Sequence, residues 1–158
     1  MDGKPRRRRN LNIDTGIVQD DGYFSDEVES HIDGRGVTFV GPVGPEDRDR
    51  LLGEALASLH LTTIPERFGL AMAESMAAGT PVIGMDLGSV REVVADGETG
   101  YVVQSLDQAV EALGNIGQID RAACRRRVEK LFSVEAMADG YLDAYRMILG
   151  EDRVHPAQ

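Results

Sequence analysis

Two carboxylates, Glu66 and Glu74, stand eight residues apart within the stretch IPERFGLAMAESMAAGTPVIGM at residues 64–85. Phe68, Gly69 and Leu70 lie between them, and the breakers Gly79 and Pro81 follow. Residues 70–78, LAMAESMAA, are strong helix formers with no Gly or Pro. Gly69 sits where such a helix starts and Gly79 where it stops. Glu66 is therefore expected on a loop before the helix, and Glu74 about one turn inside it. A helix N-terminus carries unpaired N–H groups and a partial positive charge, which suits an anion. At Gly69 no side chain blocks a phosphate. Carboxylates accept hydrogen bonds from hydroxyls, and a nucleotide sugar has hydroxyls on both sides of its diphosphate. The pattern therefore fits a diphosphate at Gly69 and Leu70, with Glu66 on one set of hydroxyls and Glu74 on the other. Set against this, spacing alone is also that of two solvated surface glutamates.

The elements around this segment follow from periodicity and breakers. Residues 11–18, LNIDTGIV, alternate as a strand does. Phe24, Val28 and Ile32 give residues 23–32 a helical face. VTFV at 37–40 reads as a short strand. A helix follows, with Pro45, Glu46 and Asp47 in its first turn and Leu51, Leu52, Ala55 and Leu56 as its apolar face. SLHLTTI, 58–64, is a strand leading into Glu66. His60 within it reads as a core or edge histidine rather than a ligand. PVIGM at 81–85 and YVV at 101–103 are strands flanking a short helix over 89–95. Ser105 and Gln108 form a capping box for a helix reaching about Leu113. Residues 120–132 form a basic helix. From Ser133 to about Leu149, the positions Val134, Met137, Ala138, Tyr141, Leu142, Tyr145, Ile148 and Leu149 mark a long amphipathic helix.

Strands alternating with helices predict an α/β domain with a parallel sheet covered by helices. Ligands of such sheets bind at the carboxyl ends of the strands. The loop carrying Glu66 leaves a strand and opens a helix, so it falls on that rim. The expected organisation is a basic disordered tail over 1–10, a single domain over 11–150 and a frayed tail over 151–158.

Composition narrows the function classes. A chain of 158 residues suffices for one domain with a real core. A net charge of −10 argues against nucleic-acid and membrane-surface binding. The single cysteine, Cys124, permits no internal disulfide and no cysteine cluster, which fits a cytoplasmic setting. There is no apolar run long enough for an integral membrane segment. The four arginines 6–9 precede no apolar run, so they are not read as a signal peptide. Neither G-x-G-x-x-G nor GxxxxGK[ST] occurs, so nicotinamide and P-loop readings lack support.

The run PERFGLAMAESMAAGTPVIGMDLGSVREVVADGETGYVV resembles the C-terminal, donor-binding half of retaining glycosyltransferases of the family 4 type (group 1). The marks are E-x7-E at Glu66 and Glu74 with Phe68-Gly69 inside, then Gly79-Thr80-Pro81-Val82, then Gly88, Glu92, Gly97 and Gly100. The resemblance extends over roughly residues 11–149. It implies one Rossmann-like half of a GT-B architecture. It also implies transfer of a sugar, with retention, from a UDP- or GDP-sugar, with no metal and no cofactor beyond that donor substrate. In that family Glu66 would take the donor sugar's hydroxyls and reacting centre, and Glu74 the ribose hydroxyls. The backbone at Phe68, Gly69 and Leu70 would face the sugar and diphosphate.

The same resemblance marks departures. The acceptor-binding domain and the first strand and helix of the donor domain have no counterpart, since LNIDTGIV matches the second strand. With that unit go an Arg and a Lys that neutralise the leaving diphosphate, a large electrostatic term. Arg67, where many relatives have Pro, is expected to point to solvent. The expected partners are therefore a nucleotide sugar and an acceptor-binding domain on another chain, or a second copy meeting the C-terminal helix. The alternative is a non-catalytic nucleotide-sugar-binding or interaction module, or an inactive truncated fragment.

Overall fold

Short apolar runs between amphipathic segments yield parallel strands joined by helices. The computed structural model describes residues 12–14, 18 and 20–150. The tails expected over 1–10 and 151–158, and most of the strand expected over 11–18, lie outside the described residues. The chain forms two compact units, Met1–Arg48 and Asp49–Gln158.

In the first unit, β1 (Asn12–Asp14) pairs in parallel with β2 (Val37–Phe39), Ile13 opposite Thr38. The single helix expected over 23–32 is instead three joined pieces. They are an α-turn α1 (Asp21–Tyr23), a π stretch Phe24–Val28 and a 3-10 turn Glu29–His31. The apolar spacing still serves its purpose: Phe24, Val28 and Ile32 are all half-buried, and the Phe24 ring lies 5.1 Å from that of Phe39. Asp33 Oδ1 accepts from the N–H groups of Arg35, Gly36 and Val37 at 2.6–3.0 Å and so shapes the entry into β2. Those N–H groups, Val37's foremost, hold its carboxyl below the usual carboxylate range.

Helix α2 spans Pro45–Glu54. The second unit holds a sheet in the order β3 (Ser58–His60), β4 (Val82–Met85), β5 (Gly100–Val103), all parallel. Its helices are α3 (Leu70–Ala77), α4 (Val90–Val93), α5 (Leu106–Asn115), α6 (Arg121–Leu131) and α7 (Val134–Leu149). Adjacent residues Val82 and Ile83 point to opposite faces of β4, and both are buried. Both faces of the central strand are thus covered, as a parallel sheet requires. Met72 and Met76 of α3, Val90 and Val93 of α4, and Cys124 of α6 complete this core.

Helix ends follow their capping residues. Ser105, Asp120 and Ser133 each accept a backbone N–H two or three residues on, at the starts of α5, α6 and α7. Gln108 reaches back one residue further than a capping box predicts, accepting the Gln104 N–H at 2.8 Å. Two expected elements are shorter than their apolar runs. Helix α2 stops at Glu54, leaving Ala55 and Leu56 outside it, with Leu56 exposed. The carbonyls of its last turn are drawn into tertiary bonds: Thr80 Oγ1 donates to the Leu52 carbonyl, and Arg121 donates to those of Gly53 and Ala55. Strand β3 ends at His60, opposite Gly84. Thr62 then donates to the Ile64 carbonyl at 3.2 Å, which turns the chain off the sheet.

No residue of α7 is buried, so its apolar stripe faces outward. Among the described residues no helix is long and apolar enough to cross a membrane.

Candidate functional site

The loop 61–69 leaves the carboxyl end of β3 and enters α3, so Glu66 lies on the carboxyl rim of the sheet. Gly69 caps α3 with φ +79°, a left-handed conformation that favours glycine. Its carbonyl accepts the N–H groups of Met72 at 2.9 Å and Ala73 at 3.4 Å. The reason for glycine here is more local than room for a phosphate. A Cβ would collide with the end of the Met72 side chain and lie 3.1 Å from Glu66 Cγ. Gly69 is itself buried, while Leu70 beside it is exposed.

Glu66 is fixed from three sides. Its carbonyl accepts the Ser89 N–H at 3.0 Å. Gly88, at φ +59°, presses its Cα onto the Glu66 backbone so closely that a Cβ would overlap the Glu66 carbonyl oxygen. Its carboxylate Oε1 accepts the N–H of Arg67 at 3.0 Å. The other oxygen, Oε2, faces Nε2 of His60 at 4.0 Å. The Glu66 side chain is 38% exposed, so a ligand can reach it. The Arg67 residue is exposed, in keeping with the expectation of a solvent-facing side chain.

Phe68 packs edge-on against Phe132 at the end of α6, with ring centroids 5.5 Å apart at 80°. The ring is thereby held while a good part of it stays open to solvent. Glu74 is half-buried, one turn along from Leu70 on the outward side of α3, whose opposite side buries Met72, Ala73 and Met76. The structure therefore places Glu66, Phe68 and Gly69 on one rim loop and Leu70 at the first position of α3, with Glu74 one turn further along that helix.

Two contributors had no role in the sequence reading. The Gly88-Ser89 turn carries the Glu66 backbone, and His60 faces its carboxylate. Gly88 was visible as part of the glycine pattern, but its contact with Glu66 is a tertiary fact. Both Ser89 Oγ and His60 Nε2 are buried without a hydrogen-bond partner, which is uncommon for buried polar atoms.

Beside this turn, Arg91 of α4 grips Asp86 at the end of β4 through Nε at 2.6 Å and Nη2 at 2.5 Å. The hydrogen bond from Arg91 holds the Asp86 carboxyl below its usual range, and the same bond raises the guanidinium. Arg127 donates to the carbonyls of Glu92 and Val93 and so closes the other end of α4. Cys124 lies in the core, where burial pushes its thiol up, away from reactivity. Among the described residues no group of three or more His, Cys, Asp or Glu is placed to hold a metal ion. A hollow of about 250 Å³ lies among Ala77 of α3, Arg125, Val128 and Glu129 of α6, and Ser133; none of the loop residues 61–69 lines it.

This arrangement can bind a polyol beside an anion: an exposed carboxylate, the N-terminus of α3, and a second carboxylate along the same helix. Residues 15–118 match the family described as Glycosyl transferases group 1. D-inositol 3-phosphate glycosyltransferase of Rhodococcus erythropolis is 36% identical over 122 residues, which cover 70% of this chain and 26% of that protein. The chain thus spans about a quarter of that relative's length. AviGT4, a glycosyltransferase involved in avilamycin A biosynthesis, superposes with a TM-score of 0.68 at 26% identity, over 89% of this chain and 44% of its own. HepE of Anabaena, solved with UDP-glucose, shares the fold with a TM-score of 0.72 at 18% identity, over 85% of this chain and 40% of its own. The fold is one Rossmann-like half of a GT-B architecture, and the chain belongs to the group 1 glycosyl transferases.

Proposed function

We propose that this chain is the donor-binding part of an enzyme that transfers a sugar, with retention, from a nucleoside-diphosphate sugar to an acceptor. The observation that carries this reading is Glu66 at the mouth of α3: Ser89 and Gly88 fix its backbone and the Arg67 N–H one carboxylate oxygen, while the side chain stays 38% exposed. In this reading Glu66 takes the sugar hydroxyls and the reacting centre, and Glu74 takes the ribose hydroxyls. The backbone at Phe68, Gly69 and Leu70 faces the sugar and the diphosphate, whose charge the N-terminus of α3 favours. The donor is the only small molecule required, without metal or further cofactor. HepE, which shares the fold, was solved with UDP-glucose, so uridine nucleotides are the first to try.

Transfer requires an acceptor, and in this reading an acceptor-binding domain or a second copy meets the outward stripe of α7. A cytoplasmic setting fits the acidic charge and the single, core-buried thiol. Titration calorimetry with UDP, GDP, UDP-glucose and GDP-mannose tests the assignment. At least one nucleotide sugar is expected to bind, with Glu66→Ala losing the increment due to the sugar and Glu74→Ala weakening sugar and free diphosphate alike. A folded chain that binds none of the four overturns it. A second reading is a nucleotide-sugar-binding module without turnover; the exposure of Arg67, the one cation on the loop, favours it. Release of sugar from the donor by the purified chain at enzymatic rates would exclude it.

A further inference from the structure

Glu66 is held at every point but one. Ser89 fixes its carbonyl, Gly88 its backbone, and the Arg67 N–H one carboxylate oxygen. Among the described residues Oε2 has no donor at hydrogen-bond distance, and His60 Nε2 faces it at 4.0 Å. That nitrogen is buried without a partner, on a side chain only 13% exposed. His60 closes β3 and is pinned in register opposite Gly84. The ring is therefore anchored in the sheet while the carboxylate sits on a loop. A shift of about 1 Å in the carboxylate brings Oε2 into hydrogen-bond range.

We propose that His60 is a positioning residue for Glu66. In its neutral Nε2–H tautomer it donates to Oε2 and sets the plane of the carboxylate that the sugar hydroxyls meet. The pairing satisfies a buried donor that otherwise has no acceptor, and it joins the rim loop to the end of the sheet. Its consequence for sugar binding rests on the donor-binding reading above.

Two measurements on the whole chain decide the matter. The first needs no ligand: imidazole nitrogen NMR at about pH 8, where an ordinary histidine is neutral. His60 is expected as the Nε2–H tautomer, with a resonance that moves in Glu66→Ala while that of exposed His31 does not. An Nδ1–H tautomer, or a His60 signal indifferent to Glu66→Ala, overturns the pairing. The second compares UDP with UDP-glucose, and GDP with GDP-mannose, in wild type, His60→Leu and His60→Gln, each checked for folding by thermal melting. Gln offers an N–H near the position of Nε2. Affinity for the free diphosphate is expected to stay level across all three. The sugar-dependent gain should fall about tenfold in His60→Leu, the worth of one hydrogen bond to a charged group, and return in His60→Gln. Loss of sugar and diphosphate affinity together, or failure of Gln to restore what Leu loses, overturns the positioning role in favour of a packing one. A wild-type chain that binds no nucleotide overturns the donor-binding reading, and the ligand-free spectra then decide the pairing by themselves.

Discussion

At the scale of single residues, the site depends on two glycines that do different work. Gly69 allows the left-handed entry into α3 and leaves space for Met72. Gly88 allows another segment, distant in sequence, to lie against the Glu66 backbone. Gly88→Ala meets both a strained φ and a backbone overlap that no rotamer relieves. The expected loss is at least about 2 kcal/mol, the upper part of the range for such strain, read as a lower urea midpoint. On the donor-binding proposal, sugar binding should fall further than stability alone explains, because Glu66 moves with the displaced turn. Gly97→Ala is the contrast: its φ is +75° but a Cβ there meets nothing within 4 Å, so only the conformational cost of about 1 kcal/mol applies.

At the scale of elements, what the sequence discloses depends on where each element's limits are set. The starts of α5, α6 and α7 were legible because Ser105, Asp120 and Ser133 cap them from within the same turn. So were both ends of α3, since Gly69 and Gly79 act locally. The ends of α2 and β3 were not legible. Helix α2 stops where the Arg121 guanidinium, 66 residues beyond Ala55, takes its last carbonyls. Strand β3 stops at His60, opposite Gly84, and beyond it Thr62 donates to the Ile64 carbonyl where the sequence suggested a strand as far as Ile64. The candidate site divides in the same way: the Glu66–Glu74 spacing was readable, whereas the His60 and Ser89 contacts come from strands and turns brought together only by folding. Arg121 offers a direct test. It donates to Gly53, Ala55 and Thr80 at 2.7–2.8 Å. Arg121→Ala should cost about 2 kcal/mol, in the range of hydrogen bonds to a charged donor. Arg121→Lys should recover less than half of this, since one ammonium cannot reach all three acceptors. Chemical denaturation reads both. The Asp86–Arg91 pair tests the rim beside Gly88. Because the folded carboxyl titrates below its ordinary value, the pair contributes fully above the usual carboxylate range and is lost as pH falls through it. Asp33 and Asp120 share that direction. Asp86→Asn should therefore flatten, without abolishing, the fall in stability between about pH 5 and pH 3, as measured by urea titration across that window.

At the scale of the whole molecule, the outward face of α7 bears on how the chain works. Tyr141 and Tyr145 are each 60% exposed and Ile148 is 80% exposed, one above another along a 16-residue helix. Ser133 and Gly150 cap the helix at its two ends, but a helix of this length gains most of its stability from packing, which here is slight. Hydrogen exchange in the middle of α7 is therefore expected to be faster than in α3, whose Met72 and Met76 are fully enclosed. A stripe of large apolar side chains left in water favours association. Sedimentation velocity should show the chain's average mass rising with concentration, and slowed exchange in α7 should accompany that rise. Tyr141→Lys with Tyr145→Lys should remove both effects. The unfolding free energy of the dilute chain should stay within the small change typical of exposed substitutions, about 0.5 kcal/mol, since neither ring is buried. If the double variant instead unfolds at low concentration, the stripe is a core face and not a contact surface. If an acceptor-binding domain added in excess protects α7 in the wild type and not in the double variant, the stripe is the docking face for the partner proposed above.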